Sequence, residues 1–308
     1  MICTFVLSIG LLGLAALIPV GRLAIVQTAI ADRSGACGRA ALREIKIRQM
    51  LEPDRWLHFN GPRVLDDGFP VAPFVIDPLF LGNYGSSGSA PPHFGNTAGA
   101  QSVLRFTLDC PGISPSVPMS YALAERIFRW RDDLEFDNKD PDRRPVGTNP
   151  DGSPGYKGDY SWFITVSPAP AEATLPNAIQ KRRYLVSAVV CFKRDLTVDE
   201  SNMAVAEHTA GATFLGMGYG GGSVEIAPGE WRTPPPERIR DNQWIMICGG
   251  GHALWYRVIS VSEGSEVENK STFLTLAGPD WSEDTSNVVQ AIFIDGVVGV
   301  YTTTIERQ

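Results

Sequence analysis

Nineteen consecutive residues without a charged side chain stand at the head of this sequence: Ile2-Cys-Thr-Phe-Val-Leu-Ser-Ile-Gly-Leu-Leu-Gly-Leu-Ala-Ala-Leu-Ile-Pro-Val20. As a helix rising about 1.5 Å per residue, such a run is just long enough to cross a hydrocarbon core of about 30 Å. It is therefore expected to enter a membrane. Gly10, Gly13, Ala15 and Ala16 set small residues among the leucines, a pattern that suits close helix–helix packing in lipid better than a loose anchor.

The apolar periodicity continues past Pro19. Leu23, Ile25, Val26, Ala29, Ile30, Ala36, Cys37, Ala40, Ala41, Ile45 and Ile47 recur at helical spacing, with Arg33, Arg39, Arg43 and Lys46 on other faces. Pro19 can kink such a helix, whereas Glu52-Pro53 is expected to end it, because the residue before a proline is pushed out of the helical region. The spacing thus predicts one helix over 1–50, half membrane-embedded and half an amphipathic stem. Two alternatives accompany this reading. One is an ordinary single-span anchor. The other is a secretory signal peptide cut at the small-x-small site Ala29-Ile30-Ala31, although no Lys or Arg precedes the apolar run.

The stretch Val6-Leu-Ser-Ile-Gly-Leu-Leu-Gly-Leu-Ala-Ala-Leu resembles the first helix of type IV pilin-like proteins, the minor pilins and type II secretion pseudopilins in particular. Residues 31–46, beginning Ala31-Asp-Arg-Ser-Gly, resemble its continuation in large pilin-like proteins of planctomycete-type bacteria. The resemblance covers about the first 50 residues and reaches the body only loosely. It implies a structural subunit held in the inner membrane by a single span, whose body faces the periplasm or cell exterior and whose partners are other pilin-like subunits. The family's basic leader, the glycine at its peptidase site and the early glutamate are absent from this sequence. They are expected upstream of Met1, through a misassigned start or a truncated product. As written, Arg22 and the basic stem follow the span and would draw the body to the cytosol; a basic leader opposes that bias.

Charge divides the chain in the same way. Residues 22–50 carry a balance of +4 within a total of −7, leaving −11 for the remainder. The acidic body, with a pI near 5.2, argues against a nucleic-acid partner, which requires a concentrated basic face. With 31 Gly and 23 Pro among 308 residues, the body is expected to be turn-rich and β-rich. The fold class is therefore α+β: the long helix over 1–50, then a globular domain over 51–308. That domain is read as an irregular, surface-draped segment with short strands over 51–115, a covering helix over 116–135 and antiparallel strands over 160–308. The strands are expected at 160–166, 184–192, 223–226, 244–248, 253–262, 272–276, 288–294 and 297–305. Asp295-Gly296 is a two-residue hairpin signal between the last two.

The chemistry-bearing residues form no catalytic pattern. Cys3, Cys37, Cys110, Cys191 and Cys248 lack a C-x-x-C spacing; buried free thiols are expected, with a disulfide among Cys110, Cys191 and Cys248 as the alternative in an oxidising compartment. His58, His93, His208 and His252 lack zinc-ligand spacing. Ser86 and Ser87 lack the flanks of a nucleophile elbow. Gly216, Gly218 and Gly221 spell G-x-G-x-x-G, but the strand-like Ser223-Val-Glu-Ile follows where a dinucleotide site needs a helix. Cys248-Gly-Gly-Gly-His252 reads as a turn. The acidic run 132–142 offers Asp137, Asp140 and Asp142 as weak calcium candidates, with a solvated loop favoured. No cofactor is implied and the chain is read as non-enzymatic. A site assembled from distant residues is the minor enzymatic alternative, and the main one is a secreted or periplasmic non-catalytic binding module. Trp231, Trp244, Trp255 and Trp281 of such a module could line a glycan surface, though they more often fill a core.

Overall fold

The computed structural model describes residues 2–59, 72–85, 90–97, 102–110, 117–134, 156–170, 183–263, 271–281 and 287–306, with side chains on the N-terminal helix from residue 18 onward. The fold is α+β: a long N-terminal helix and a β-rich body. Helix α1 (Ile2–Ile47) runs through Pro19. It stops before Glu52-Pro53 because Gln49 takes a left-handed conformation, φ +50°, and Met50 N–H turns back to the Ile45 carbonyl at 3.0 Å. The following proline therefore comes too late to be the terminator.

The body pairs a six-stranded sheet with a closed six-stranded barrel. The sheet has the order β1 (Trp56–Leu57), β3 (Leu104–Leu108), β2 (Phe74–Ile76), β4 (Tyr160–Pro168), β5 (Arg183–Phe192) and β12 (Val297–Glu306). Its pairs are antiparallel except β2 with β3. The barrel runs β10 (Thr272–Ala277), β7 (Ser223–Ile226), β6 (Glu207–Phe214), β11 (Val289–Ile294), β8 (Trp244–Gly249) and β9 (His252–Glu263), and β9 closes on β10. Closure removes every edge from that half of the body.

Alternation along β4 and β5 explains the layering. Tyr160, Trp162, Ile164, Val166, Tyr184, Val186, Ala188 and Val190 join one cluster with Cys37, Ala41 and Ile45 of α1. Phe163, Val189 and Cys191 point the other way and meet Met246, Cys248, Trp255 and Ile292 on the barrel wall. The central strands are thus buried on both faces between a helical layer and the barrel. The helical layer also includes α2 (Pro78–Tyr84) and α3 (Tyr121–Phe128).

Four expectations are corrected. Within 51–115 the described residues include the expected short strands, β1, β2 and β3, but these are strands of the sheet and not surface-draped: with α2 they put Phe74, Val75, Ile76, Leu79 and Phe80 in the core. The helix over 116–135 shrinks to α3, because Arg129 bridges Ser161 and Trp130 N–H bonds the Tyr160 carbonyl at 2.8 Å, so the chain joins β4 instead of continuing the helix. Asp295-Gly296 is a two-residue turn but not a hairpin turn, since β11 pairs within the barrel and β12 pairs with β5 in the sheet. Strand β6 (Glu-His-Thr-Ala-Gly-Ala-Thr-Phe) was not expected at all. Its Ala210 and Ala212 fill the narrow barrel interior beside Phe214, Tyr256 and Phe293, a packing need that outweighs the weak strand preference of Ala and Gly.

Candidate functional site

Helix α1 has two environments. Ser34, Cys37, Ala41 and Ile45 lie on one face at i, i+3, i+7 and i+11 and are buried on the sheet. Small residues permit the close approach. Gly38 lies so tightly on the Tyr301 ring of β12 that a Cβ there would overlap it, and the Ser34 and Tyr301 hydroxyls are 3.2 Å apart. Residues 18–29, by contrast, are exposed at every position. Ile18, Val20, Leu23, Ile25 and Val26 are 54–70% exposed, and at about 100° per residue they spread over roughly 220° of the circumference. So wide an exposed apolar surface, interrupted by Arg22, Gln27 and Thr28, is the kind that another helix or a membrane covers. Among the described residues no helix is long and apolar enough to cross a membrane. The surroundings of Gly10, Gly13, Ala15, Ala16 and the Cys3 side chain are not described, and the calcium candidates Asp137, Asp140 and Asp142 lie outside the described residues, as do Ser86 and Ser87.

Beneath this stem, four charged side chains from distant parts of the chain meet between sheet and barrel. Asp77 caps α2, accepting from Phe80 N–H at 3.3 Å. Arg105 Nη1 donates to it at 2.9 Å, and Arg194 donates through Nη1 at 3.1 Å and Nη2 at 2.6 Å. Both guanidiniums also reach Glu207 at the start of β6, Arg194 at 3.4 Å. Gly95 N–H donates to the same carboxylate at 2.7 Å. All four side chains are at most 2% exposed. Arg105 sits 4.0 Å from the Phe80 ring centroid and Arg194 4.5 Å from that of Phe163, so aromatic faces complete the enclosure. Burial alone would push the Asp77 carboxyl up, but Arg194, Arg105 and the Phe80 N–H together hold it below its ordinary 3.8. The oxygens and guanidiniums are occupied by one another, so the cluster clamps sheet to barrel and offers no open position to a substrate. Sequence reasoning missed it: the four positions share no spacing, and the one local signal is Asp77-Pro78, a cap residue before a proline that opens a helix.

A third feature lies at the barrel end where β6 begins. Residues 231–243 form a proline-rich strap, anchored by Trp231 packed on Phe293 at 5.3 Å and by Thr233 Oγ1, which accepts from Thr209 N–H at 2.8 Å. Between Pro236–Gln243 of the strap and Ile294–Val298 lies a cleft of about 460 Å³. His208 stands where strap and corner meet. Its Nδ1 is 2.7 Å from the Pro234 carbonyl and its Nε2 3.3 Å from Asp295 Oδ2.

The other singled-out residues have structural surroundings. Cys37, Cys110, Cys191 and Cys248 are free thiols, so no disulfide joins Cys110, Cys191 and Cys248. Burial pushes Cys37 and Cys191 up to about 12 and raises Cys248 as well, which keeps these thiols protonated and inert. The run Gly216–Gly222 is the loop between β6 and β7, with left-handed backbone at Gly218 and Gly220. His252 Nδ1 lies 3.0 Å from the Pro168 carbonyl, and the His58 ring meets the edge of Phe106. Trp255 and Trp281 are buried; Trp255 donates to Thr165 Oγ1 at 2.9 Å and Trp281 stacks on Phe214. Trp231 and Trp244 are half-buried, so the four indoles do not form a glycan platform. No group of three or more His, Cys, Asp or Glu side chains among the described residues is placed to hold a metal ion. No family model, curated protein or solved structure matches this chain.

Proposed function

We propose that this protein is a pilin-like structural subunit of a type IV pilus or type II secretion pseudopilus. The apolar half of α1 is held in the inner membrane and packs among equivalent helices, while the β-rich body faces the periplasm or cell exterior. The observation that carries the reading is the two-environment helix: Ser34 to Ile45 docked on the sheet, and before it residues 18–29, whose apolar side chains are exposed among the described residues. Burying five such side chains against lipid or neighbouring helices is worth about 1.5–3 kcal/mol each, enough to drive insertion or assembly. The closed barrel makes the body larger than a helix-on-sheet unit requires and gives it two extra loop-bearing ends.

One observation favours a second reading, a secreted or periplasmic binding module. Ala29-Ile30-Ala31 lies just before Ser34, the first buried residue, so cleavage there would leave every docked residue in place. Membrane fractionation, N-terminal sequencing and in-cell crosslinking separate the two. A chain that keeps its apolar helix, stays with the membrane and crosslinks to neighbouring subunits is expected, with Gly10→Leu and Gly13→Leu together lowering the crosslinking of inserted protein. A soluble chain beginning at Asp32 would sink the subunit reading.

A further inference from the structure

A neutral imidazole has one N–H and one lone pair, so it can donate only one hydrogen bond. His208 faces two acceptors that have no hydrogen to give: the Pro234 carbonyl 2.7 Å from Nδ1 and the Asp295 carboxylate oxygen 3.3 Å from Nε2. Only the imidazolium satisfies both.

Asp295 lines the 460 Å³ cleft, and Pro234 lies two residues before Pro236, where the opposite wall begins. Pro234 follows the anchored Thr233; of the strap residues after it, 235–241, none is fully buried and Ile239 packs partly against the barrel core, and the next backbone anchor to the barrel is Asn242 N–H to the Val258 carbonyl at 2.7 Å. Asp295 belongs to the corner where the barrel passes into the sheet. That corner is held independently, by Asp295 N–H to the Ala206 carbonyl at 2.9 Å and by Phe192 N–H to the Gly296 carbonyl at 2.7 Å. The corner is therefore the more firmly held side and the strap, mostly exposed over 234–241, the more loosely held one, and the ring of His208 is a polar tie between them.

We propose that protonated His208 is a pH-dependent tie that joins the strap, at Pro234, to the Asp295-Gly296 corner beside the cleft, and that loss of its proton uncouples the two. Whichever nitrogen keeps its hydrogen, the other then turns a lone pair toward an acceptor. The Asp295 side chain is 58% exposed, so water can take over its solvation when the tie breaks. The charges acting on the ring are the Asp295 carboxylate on the corner and the Glu207 carboxylate on its own strand, while the strap contributes the Pro234 carbonyl. The Asp295 hydrogen bond is the largest influence and outweighs burial, and the group lies above its ordinary 6.5. A raised folded value means that the tie is fully present below 6.5 and is lost as pH rises through the raised value.

Hydrogen–deuterium exchange on the full chain in detergent micelles between pH 5.5 and 9, with intrinsic rates divided out, tests this. Protection of the peptides covering 237–243 is expected to fall on the order of tenfold as pH rises through the transition, with β5 unchanged. His208→Gln, which cannot titrate, should show the low protection at every pH. Flat protection in the wild type overturns the proposal, as does a step that persists in His208→Gln. Should that variant misfold, Asp295→Asn, at an exposed position, serves instead. Its step should move to lower pH, and an unmoved step overturns the proposal equally.

Discussion

A carboxylate carried out of water without a partner costs several kcal/mol, and Asp77 shows how this chain avoids that cost: two guanidiniums and a helix N–H surround it. Removing one member strands the others. Asp77→Ala and Arg194→Met should each destabilise the protein by about 3–5 kcal/mol at neutral pH, measured by urea unfolding. The double variant should cost clearly less than the sum, since charges that are removed together leave nothing unpaired. The pH sign follows from Asp77 lying below its ordinary 3.8. Its contribution is present above that value and is lost as pH falls through the lowered one, so the acid limb of the stability curve should flatten in Asp77→Asn. At this scale the sequence was least informative. His208, Arg105 and Glu207 stand among ordinary neighbours, and only the fold brings them to their partners.

Elements were legible where one periodicity governed them. Helix α1 and the barrel and sheet strands rich in Val, Ile and aromatic residues stood out because pattern and burial agree; β6 and the short β1 and β2 did not, because Ala, Gly or brevity removed the pattern. The docking of α1 is a contact between elements that neither periodicity announces. It depends on Gly38 lying flat on Tyr301. Gly38→Ala should improve intrinsic helix propensity yet lower stability by about 1–3 kcal/mol, because the added methyl must displace the ring. Thermal unfolding followed by circular dichroism would record this. Adding Tyr301→Ala should recover part of the loss from Gly38→Ala, measured against Tyr301→Ala alone; an additive pair of costs would mean that the helix is not seated on that ring.

Across the whole molecule the sheet is the member on which everything else rests, with α1 on one face and the barrel on the other. This makes the two halves of α1 energetically unequal. Residues before Ser34 contribute no buried side chain among those described, whereas Cys37, Ala41 and Ile45 cover Trp162, Val186 and Ala188. A chain beginning at Asp32 should therefore unfold within about 2 °C of the full-length protein, since little packing is lost. A chain beginning at Arg48 should lose a few kcal/mol, about 1.5–3 kcal/mol of it from Ile45 and less from the small Cys37 and Ala41, and should expose an aromatic sheet face that drives aggregation. Calorimetry with light scattering on both truncations decides the matter. A large drop for the Asp32 chain would show that the exposed half of α1 stabilises the body after all. An undiminished Arg48 chain would mean that the helix is an appendage and that the sheet needs no cover.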